Sequence, residues 1–431
     1  AQAPLEPKHA MEWSTNSVLH TAHAVRNGVI AKPIFSAPRH SCRCDAGSSL
    51  ERPSAWTSLS SCLTPLLCAT VGGLAHGVVA STKSRRSTQS LAVADKKRRA
   101  LRAPDPGRFE VRQEFTGDTG IEVMRLPMDD GSALVVRAHT ASEQDMPGGA
   151  SGSCVQEWRS LRFEPADLES RTIAAAFIQA VSKVTCQRGG GHGRGSATLD
   201  ARVLALGYTK TMVTIVATAL AAAGLSSSPR ILIIGLGAGS LSSWLSSALP
   251  GCIIDVVDIE PTVLQAAVEG MGLKEDENVR VTIADGAEFL KQRACEADFP
   301  GYDAILLDAY DAYNDVPEHL TAEGGEFAKA LPNALSARGF VAVNTPPFFD
   351  IAGMVGAYRQ TMNSCGGGPA FSVRILEGGS AVVLVTRFTS GPLSTVPALF
   401  GSMRQWAPVM QQRCQCTFDM WGRLSAGLMQ W

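Results

Sequence analysis

The chain has 431 residues, with 39 Lys and Arg against 40 Asp and Glu, for a net charge of −1. That balance gives no argument for a nucleic-acid partner, since bulk phosphate attraction needs a clear basic excess. The length allows one large domain plus an extra module, or two ordinary domains, with a core that needs no covalent staples.

The leader, residues 1–105, differs in composition from the rest. Between Trp13 and Ala94 its only acids are Asp45 and Glu51, while serine, arginine and alanine recur. Organelle transit peptides have this composition; a plain disordered tail and a membrane anchor are the alternatives. Pro53 to Thr82 carries no charge and has the length of a span, but its serines and glycines, Pro65 and His76 argue against stable membrane insertion. The chain opens on alanine, which fits either a fragment of a longer chain or a true start at Met11. The segment "KPIFSAPRH" (Lys32 to His40) is loosely similar to the processing motifs of complex algal plastids. A plastid or mitochondrion is therefore the expected destination, with the cytoplasm as the alternative. The charged, proline-containing stretch from Ala94 to Gly107 reads as a linker.

Residues 106–200 predict a small β module. Short alternating runs ("FEVRQEF", "GIEVMRLPM", "SALVVRAH", "WRSLRFE") are separated by glycine, aspartate and proline, the pattern of hairpins. Two glycine-rich loops, Pro147 to Cys154 and Arg188 to Gly195, interrupt it, and His192 reads as a solvated loop residue rather than a ligand. From Arg202 the run "RVLALGYTKTMVTIVATALAAAG" predicts a helix ending at Gly224.

Strands and helices then alternate across residues 201–395: "RILIIG", "SLSSWLSSAL", "CIIDVVDI", "PTVLQAAVEGM", "VRVTIADG", "YDAILLDAY", "FAKALPNAL" and "GFVAVNT". Apolar strands joined by amphipathic helices require right-handed crossovers and a sheet covered on both faces, so the fold class is α/β, doubly wound and mostly parallel. "FSVRIL" and "AVVLVTR", linked by "EGGS", add an antiparallel hairpin at the sheet edge. Residues 396–431 form a C-terminal extension, with Trp406 to Trp431 read as one helix. Eleven cysteines are an odd number without repeated spacing. Cys42/Cys44 and Cys414/Cys416 are C-x-C pairs without a histidine cluster, so reduced thiols are the plainer reading, zinc the alternative, and no metal is assigned.

Chemistry concentrates at the strand ends. Gly235, Gly237 and Gly239 form G-x-G-x-G directly after the first strand, where a loop needs positive φ and a close ligand approach. The dinucleotide fingerprint would want glycine at position 240, where Ser240 stands, so a pyrophosphate reader is disfavoured. Asp258, Asp285 with Gly286, and Asp308 close the next three strands on the edge where open α/β folds bind ligands. Helix capping is the alternative for any one of these acids.

Together "LIIGLGAGSL", "DVVDIEPTVLQAA", "VRVTIADGAEFL", "YDAILLDAYD", "VPEHLT" and "ARGFVAVN" resemble the spermidine-synthase-like branch of class I S-adenosylmethionine-dependent methyltransferases. That branch includes polyamine aminopropyltransferases and lysine methyltransferases acting on elongation factor 1A. The resemblance runs from about Arg108 to Arg387 and implies a Rossmann-like sheet with S-adenosyl-L-methionine as cofactor. It implies that Gly235, Gly237 and Gly239 admit the cofactor, Asp258 with Glu260 its ribose, and Asp285–Gly286 its adenine. Asp308 and Asp311 keep the D-x-x-D spacing with which aminopropyltransferases bind and deprotonate an amine; Tyr310 and Tyr313 would wall that entrance, with packing on a loop as the alternative, and Tyr208 is a further substrate-binding candidate. Two departures weigh against aminopropyl transfer. Ala238 replaces that family's loop aspartate, and Lys210 stands where an acid or histidine would grip a polyamine. Methyl transfer to an amine-bearing protein or small molecule is the first reading. Aminopropyl transfer and a non-catalytic nucleoside binder are the others, with a homodimer as a compatible assembly. His319 reads as a first-turn helix residue rather than a base.

Overall fold

The computed structural model describes residues 120–140, 154–166, 178–187, 197–311, 314–362, 368–376 and 379–431. The leader, both glycine-rich loops with His192, the "FEVRQEF" run and Tyr313 lie outside these residues.

The first sheet is an antiparallel meander of β1 (Ile121–Pro127), β2 (Ala133–Thr140), β3 (Cys154–Glu164), β4 (Ala180–Gln187) and β5 (Ala197–Leu199), paired in chain order. Alternation explains β1: Met124 and Leu126 are buried while their neighbours Arg125 and Pro127 are exposed. The period-2 geometry of a strand places every second residue on the core face. β4 was not predicted, because its buried positions include Ser182 and Lys183, which break the apolar pattern. Lys183 is neutralised there by Asp200 at 3.8 Å.

The second sheet has the order β13-β11-β12-β10-β9-β6-β7-β8. It consists of β6 (Arg230–Ile234), β7 (Ile253–Asp258), β8 (Val279–Ile283), β9 (Tyr302–Leu307), β10 (Leu335–Thr345), β11 (Ala370–Arg374), β12 (Ala381–Thr386) and β13 (Leu428–Gln430). Strands β6 to β10 are mutually parallel, and β11 to β13 run antiparallel to their neighbours. Ile231 and Ile233 enter one core with helix α1 (Gly207–Ala222), while Leu232 and Ile234 enter another with the helices at 286–294 and 326–334. Both faces are thus covered, as the continuous apolar strands demanded. The meander packs Leu126, Leu134, Val136 and Leu161 into the first of these cores.

Three expectations are corrected here. Helix α1 starts at Gly207, not Arg202, because Leu204 and Ala205 are buried in a non-helical approach to it. The helix beginning at Pro261 keeps α geometry only to Gln265 and continues as a π turn, Ala266–Gly270. The C-terminal segment is not a single helix. Val396–Arg413 and Met420–Leu424 are helical, and β13 then pairs with β11, covering the edge that the hairpin would otherwise expose. The end is fixed by Trp431, whose indole N–H donates to Ser372 Oγ at 3.0 Å.

Candidate active site

The centre of the second sheet is where its winding reverses, with β7 and β8 on one side of β6 and β9 and β10 on the other. Ligands of open α/β sheets bind in the crevice above such a switch point. A cavity of about 470 Å³ lies there, between the carboxyl ends of these strands and the meander.

Its floor is the loop after β6. Gly235, Gly237 and Gly239 have φ of +99°, +51° and +73°. Gly235 is fixed by packing, since a Cβ there would stand 2.3 Å from the Asp308 carbonyl oxygen. Gly237 differs in its clearance: like Gly235 it lines the cavity, but a Cβ there would meet nothing nearer than Ala180 at 3.6 Å. It is the glycine that leaves the floor open to a ligand.

Asp258, at the end of β7, binds this loop. Its Oδ2 accepts from Leu236 N at 2.8 Å and its Oδ1 from Glu260 N at 2.9 Å. Burial raises its pKa, and the backbone donors oppose that shift. Ile259 N–H donates to the same carboxylate, which with about four acceptor positions still has room for a ligand hydroxyl. Glu260 lines the same wall, with Oε1 capping the following helix at Thr262 N. Asp285 and Gly286 also line the cavity, but the capping alternative holds for Asp285: its Oδ1 accepts from Ala287 N and Glu288 N. Its Oδ2 lies 3.0 Å from His319 Nε2. His319 is in the first turn of a helix, as expected, and it also lines the cavity.

Asp308, just past β9, also lines the cavity. Its Oδ1 accepts from Asn344 Nδ2 at 2.9 Å, and the Tyr208 hydroxyl is also hydrogen-bonded to it. Part of its surface faces the cavity, yet the surrounding protein keeps water from the charge. Burial pushes its pKa up to about 7, against the two hydrogen bonds. Tyr208 and Tyr310 are held well above the usual phenol range, by burial first and then by the neighbouring Asp308 charge. Both phenols therefore remain donors, and the Tyr310 hydroxyl donates to the Asn344 backbone carbonyl at 3.2 Å.

Asp311 does not join this group. It is exposed, is not among the residues lining the cavity, and its Oδ1 accepts from Asp315 N at 3.0 Å, closing a turn. Lys210 is also absent from the lining and is buried within helix α1, so it does not meet an incoming amine as expected. Ala238 is buried away from the cavity. Sequence reasoning missed Asn344, whose signal was a polar residue closing the fifth parallel strand ("VAVNTPP") beside a row of strand-end acids. It also missed the wall supplied by the meander: Leu161, Phe163, Ile178 and Gln179.

No protein-family pattern matches the chain. Over 116 residues it is 37% identical to a polyamine aminopropyltransferase of Vibrio vulnificus, covering 27% of this chain and 37% of the relative. Over 78 residues it is 38% identical to the mouse eEF1A lysine and N-terminal methyltransferase, covering 18% of this chain and 11% of that one. The chain is thus similar, over part of its length, to aminopropyltransferases and methyltransferases of the spermidine-synthase-like kind. The chain spans well under half the length of these spermidine-synthase-like relatives. A probable spermidine synthase from Corynebacterium glutamicum aligns over 68% of this chain and 93% of its own, at 12% identity and a TM-score of 0.43.

Proposed function

We propose that the chain is an S-adenosyl-L-methionine-dependent transferase that methylates an amine. The observation that carries this reading is the convergence of three features on one cavity: the open glycine at 237, the Asp258 carboxylate bound to the same loop, and the recessed Asp308. The residues fit an adenosyl group. Gly237 leaves room for it, Asp258 and Glu260 present acceptors for ribose hydroxyls, and Asp285 with His319 stands at the far rim. When bound, S-adenosylmethionine supplies an electrophilic methyl group and needs no activation by the protein.

What this chain adds is position and proton handling. Tyr208 and Asn344 hold the Asp308 carboxyl in one orientation, so an amine reaching it meets an acceptor of fixed direction. With its pKa near 7, Asp308 can take a proton from the amine and return it to solvent at neutral pH. The apolar wall of Leu161, Phe163 and Ile178 excludes water while this happens.

Aminopropyl transfer is the second reading, favoured by the retained Asp308 and by the Vibrio relative. One chromatographic assay separates the two. Incubating the full chain with S-adenosylmethionine or its decarboxylated form and an amine mixture should release S-adenosylhomocysteine in the first case, or methylthioadenosine in the second. Methyl transfer predicts the former, abolished by Asp308→Ala. Asp258→Ala should mainly weaken cofactor binding. Cofactor-dependent thermal stabilisation with neither product would identify a binding protein instead.

A further inference from the structure

The C-x-C pair near the C-terminus is not used by the strand-end cavity. The helix Val396–Arg413 ends on Cys414, and a chain reversal closes its last carbonyls: Gln415 N donates to Gln412 O at 3.2 Å and Cys416 N to Gln411 O at 3.0 Å. The reversal puts Gln415 at φ of +50°, where glycine is the usual residue. A left-handed middle residue leaves its neighbours a helix-like Cα span, within the about 4.4–6.8 Å that a disulfide accepts. The two thiols are hydrogen-bonded to each other. That bond lowers the Cys414 pKa; burial opposes the shift and the Arg413 charge assists it. Cys186 and Cys252 are the opposite case, buried thiols that desolvation pushes up to about 11. Cys414 and Cys416 are only half-buried, and Cys416 lines a surface groove with Pro408, Gln411, Gln412, Gln415 and Trp421. Among the described residues no third ligating side chain joins the pair to make a metal site.

A thiol pair in hydrogen-bond contact beside open surface meets the needs of thiol–disulfide exchange, in which one sulfur attacks and its neighbour resolves. We propose that Cys414 and Cys416 form a reversible exchange site for a low-molecular-weight disulfide that enters by this groove. One thiolate of the pair attacks a sulfur of the incoming disulfide, so that a new S–S bond forms, the old one breaks and a thiolate leaves. The second cysteine gives its proton to that thiolate and attacks the mixed disulfide, releasing the other half as a thiol. The protein gives up two electrons and two protons, which leave on the two released thiols. Gln412 and Gln415 carry amides that can pair with those of a peptide-like disulfide such as oxidised glutathione. This site shares no lining residue with the strand-end cavity and does not depend on the transferase reading.

The test incubates the full chain at neutral pH with excess oxidised glutathione, alkylates the remaining thiols with iodoacetamide and digests with trypsin. Cleavage after Arg413 and Arg423 gives a peptide, Cys414 to Arg423, that carries both cysteines and no other. Its mass should fall by two hydrogen atoms and show no alkylation, and dithiothreitol should restore both alkylation sites. Cys414→Ser and Cys416→Ser should each stop at one glutathione on the remaining thiol. The bridge should close about tenfold faster in the folded chain than in a synthetic peptide of the same sequence, because the turn pre-positions the pair. A peptide that stays doubly alkylated, a glutathione on each cysteine of the wild type, or a rate no faster than that of the synthetic peptide would overturn the proposal.

Discussion

The chemistry proposed for this chain concentrates in one carboxyl, that of Asp308. Its pKa in the fold is about 7, against an unfolded value of 3.8. A carboxyl raised in this way favours the folded state while it is protonated. That contribution is complete below pH 3.8 and is lost as pH rises through 7. By linkage the loss is about 1.4 kcal/mol per pH unit across this window, or about 4 kcal/mol in all. Asp308→Asn removes the titration and keeps the shape. Denaturant unfolding at pH 5 and pH 8 should show the variant gaining about 2–3 kcal/mol on the wild type between the two. Over the same range, kcat/KM of the wild type should rise with an apparent pKa near 7, while the variant stays inactive. Coincident pH profiles for the stability of the two proteins would exclude the raised pKa. The expected partner, Asp311, has the right spacing along the chain, but the turn closed by Asp315 directs it outward. Sequence spacing reports reach, whereas a turn decides direction.

At the scale of an element, the loop between β6 and the helix Ser240–Ala248 does two jobs with similar residues. Gly235 lets the loop pass against the end of β9, and Gly237 opens the ligand floor. Their alanine variants should therefore fail differently. Gly235→Ala meets backbone oxygen at 2.3 Å as well as positive φ and should be strongly destabilised, by about 3 kcal/mol or more. Gly237→Ala makes only an ordinary contact with Ala180 and loses stability only through its left-handed backbone, about 1–2 kcal/mol, while losing most of its affinity for S-adenosylhomocysteine. Denaturation and calorimetric titration of both proteins distinguish the outcomes. Equal stability losses would mean that the second glycine is structural too. The glycine pattern and the strand-end acids were both legible in sequence, because a loop after an apolar strand accepts few other residues. That Asp285 spends one oxygen on its own helix cap was not legible, since capping and ligand binding draw on the same residue type.

Across the whole molecule, the cavity depends on the meander staying against the larger sheet. Arg159 on β3 is buried and reaches across the boundary: Nη1 donates to the Gly270 carbonyl on the π turn, and Nε to Glu157 Oε1 at 2.8 Å. Nη2 donates to Cys186 Sγ at 3.3 Å, and burial pushes that thiol up to about 11. Leu161 and Phe163, on the same strand, are the cavity wall. Arg159→Ala would strip buried Glu157 of a cationic partner and should cost about 3–5 kcal/mol in denaturant unfolding. Arg159→Met combined with Glu157→Leu should recover most of it, because no buried charge is left behind. A double variant as unstable as the single one would assign the loss to the guanidinium's hydrogen bonds to the π turn rather than to stranded charge.

The sequence by itself determined the α/β class, the covered parallel sheet with its antiparallel hairpin, the glycine loop and the row of acids at the strand ends. Each follows from local periodicity or from a backbone requirement that few residues meet. Tertiary structure alone decided that Asn344 and Tyr208 hold Asp308, that Lys210 is buried away from the cavity, and that β13 closes the sheet edge. These are relations between residues distant along the chain or directions set by turns, and a side chain's type does not encode which neighbour the fold will bring to it.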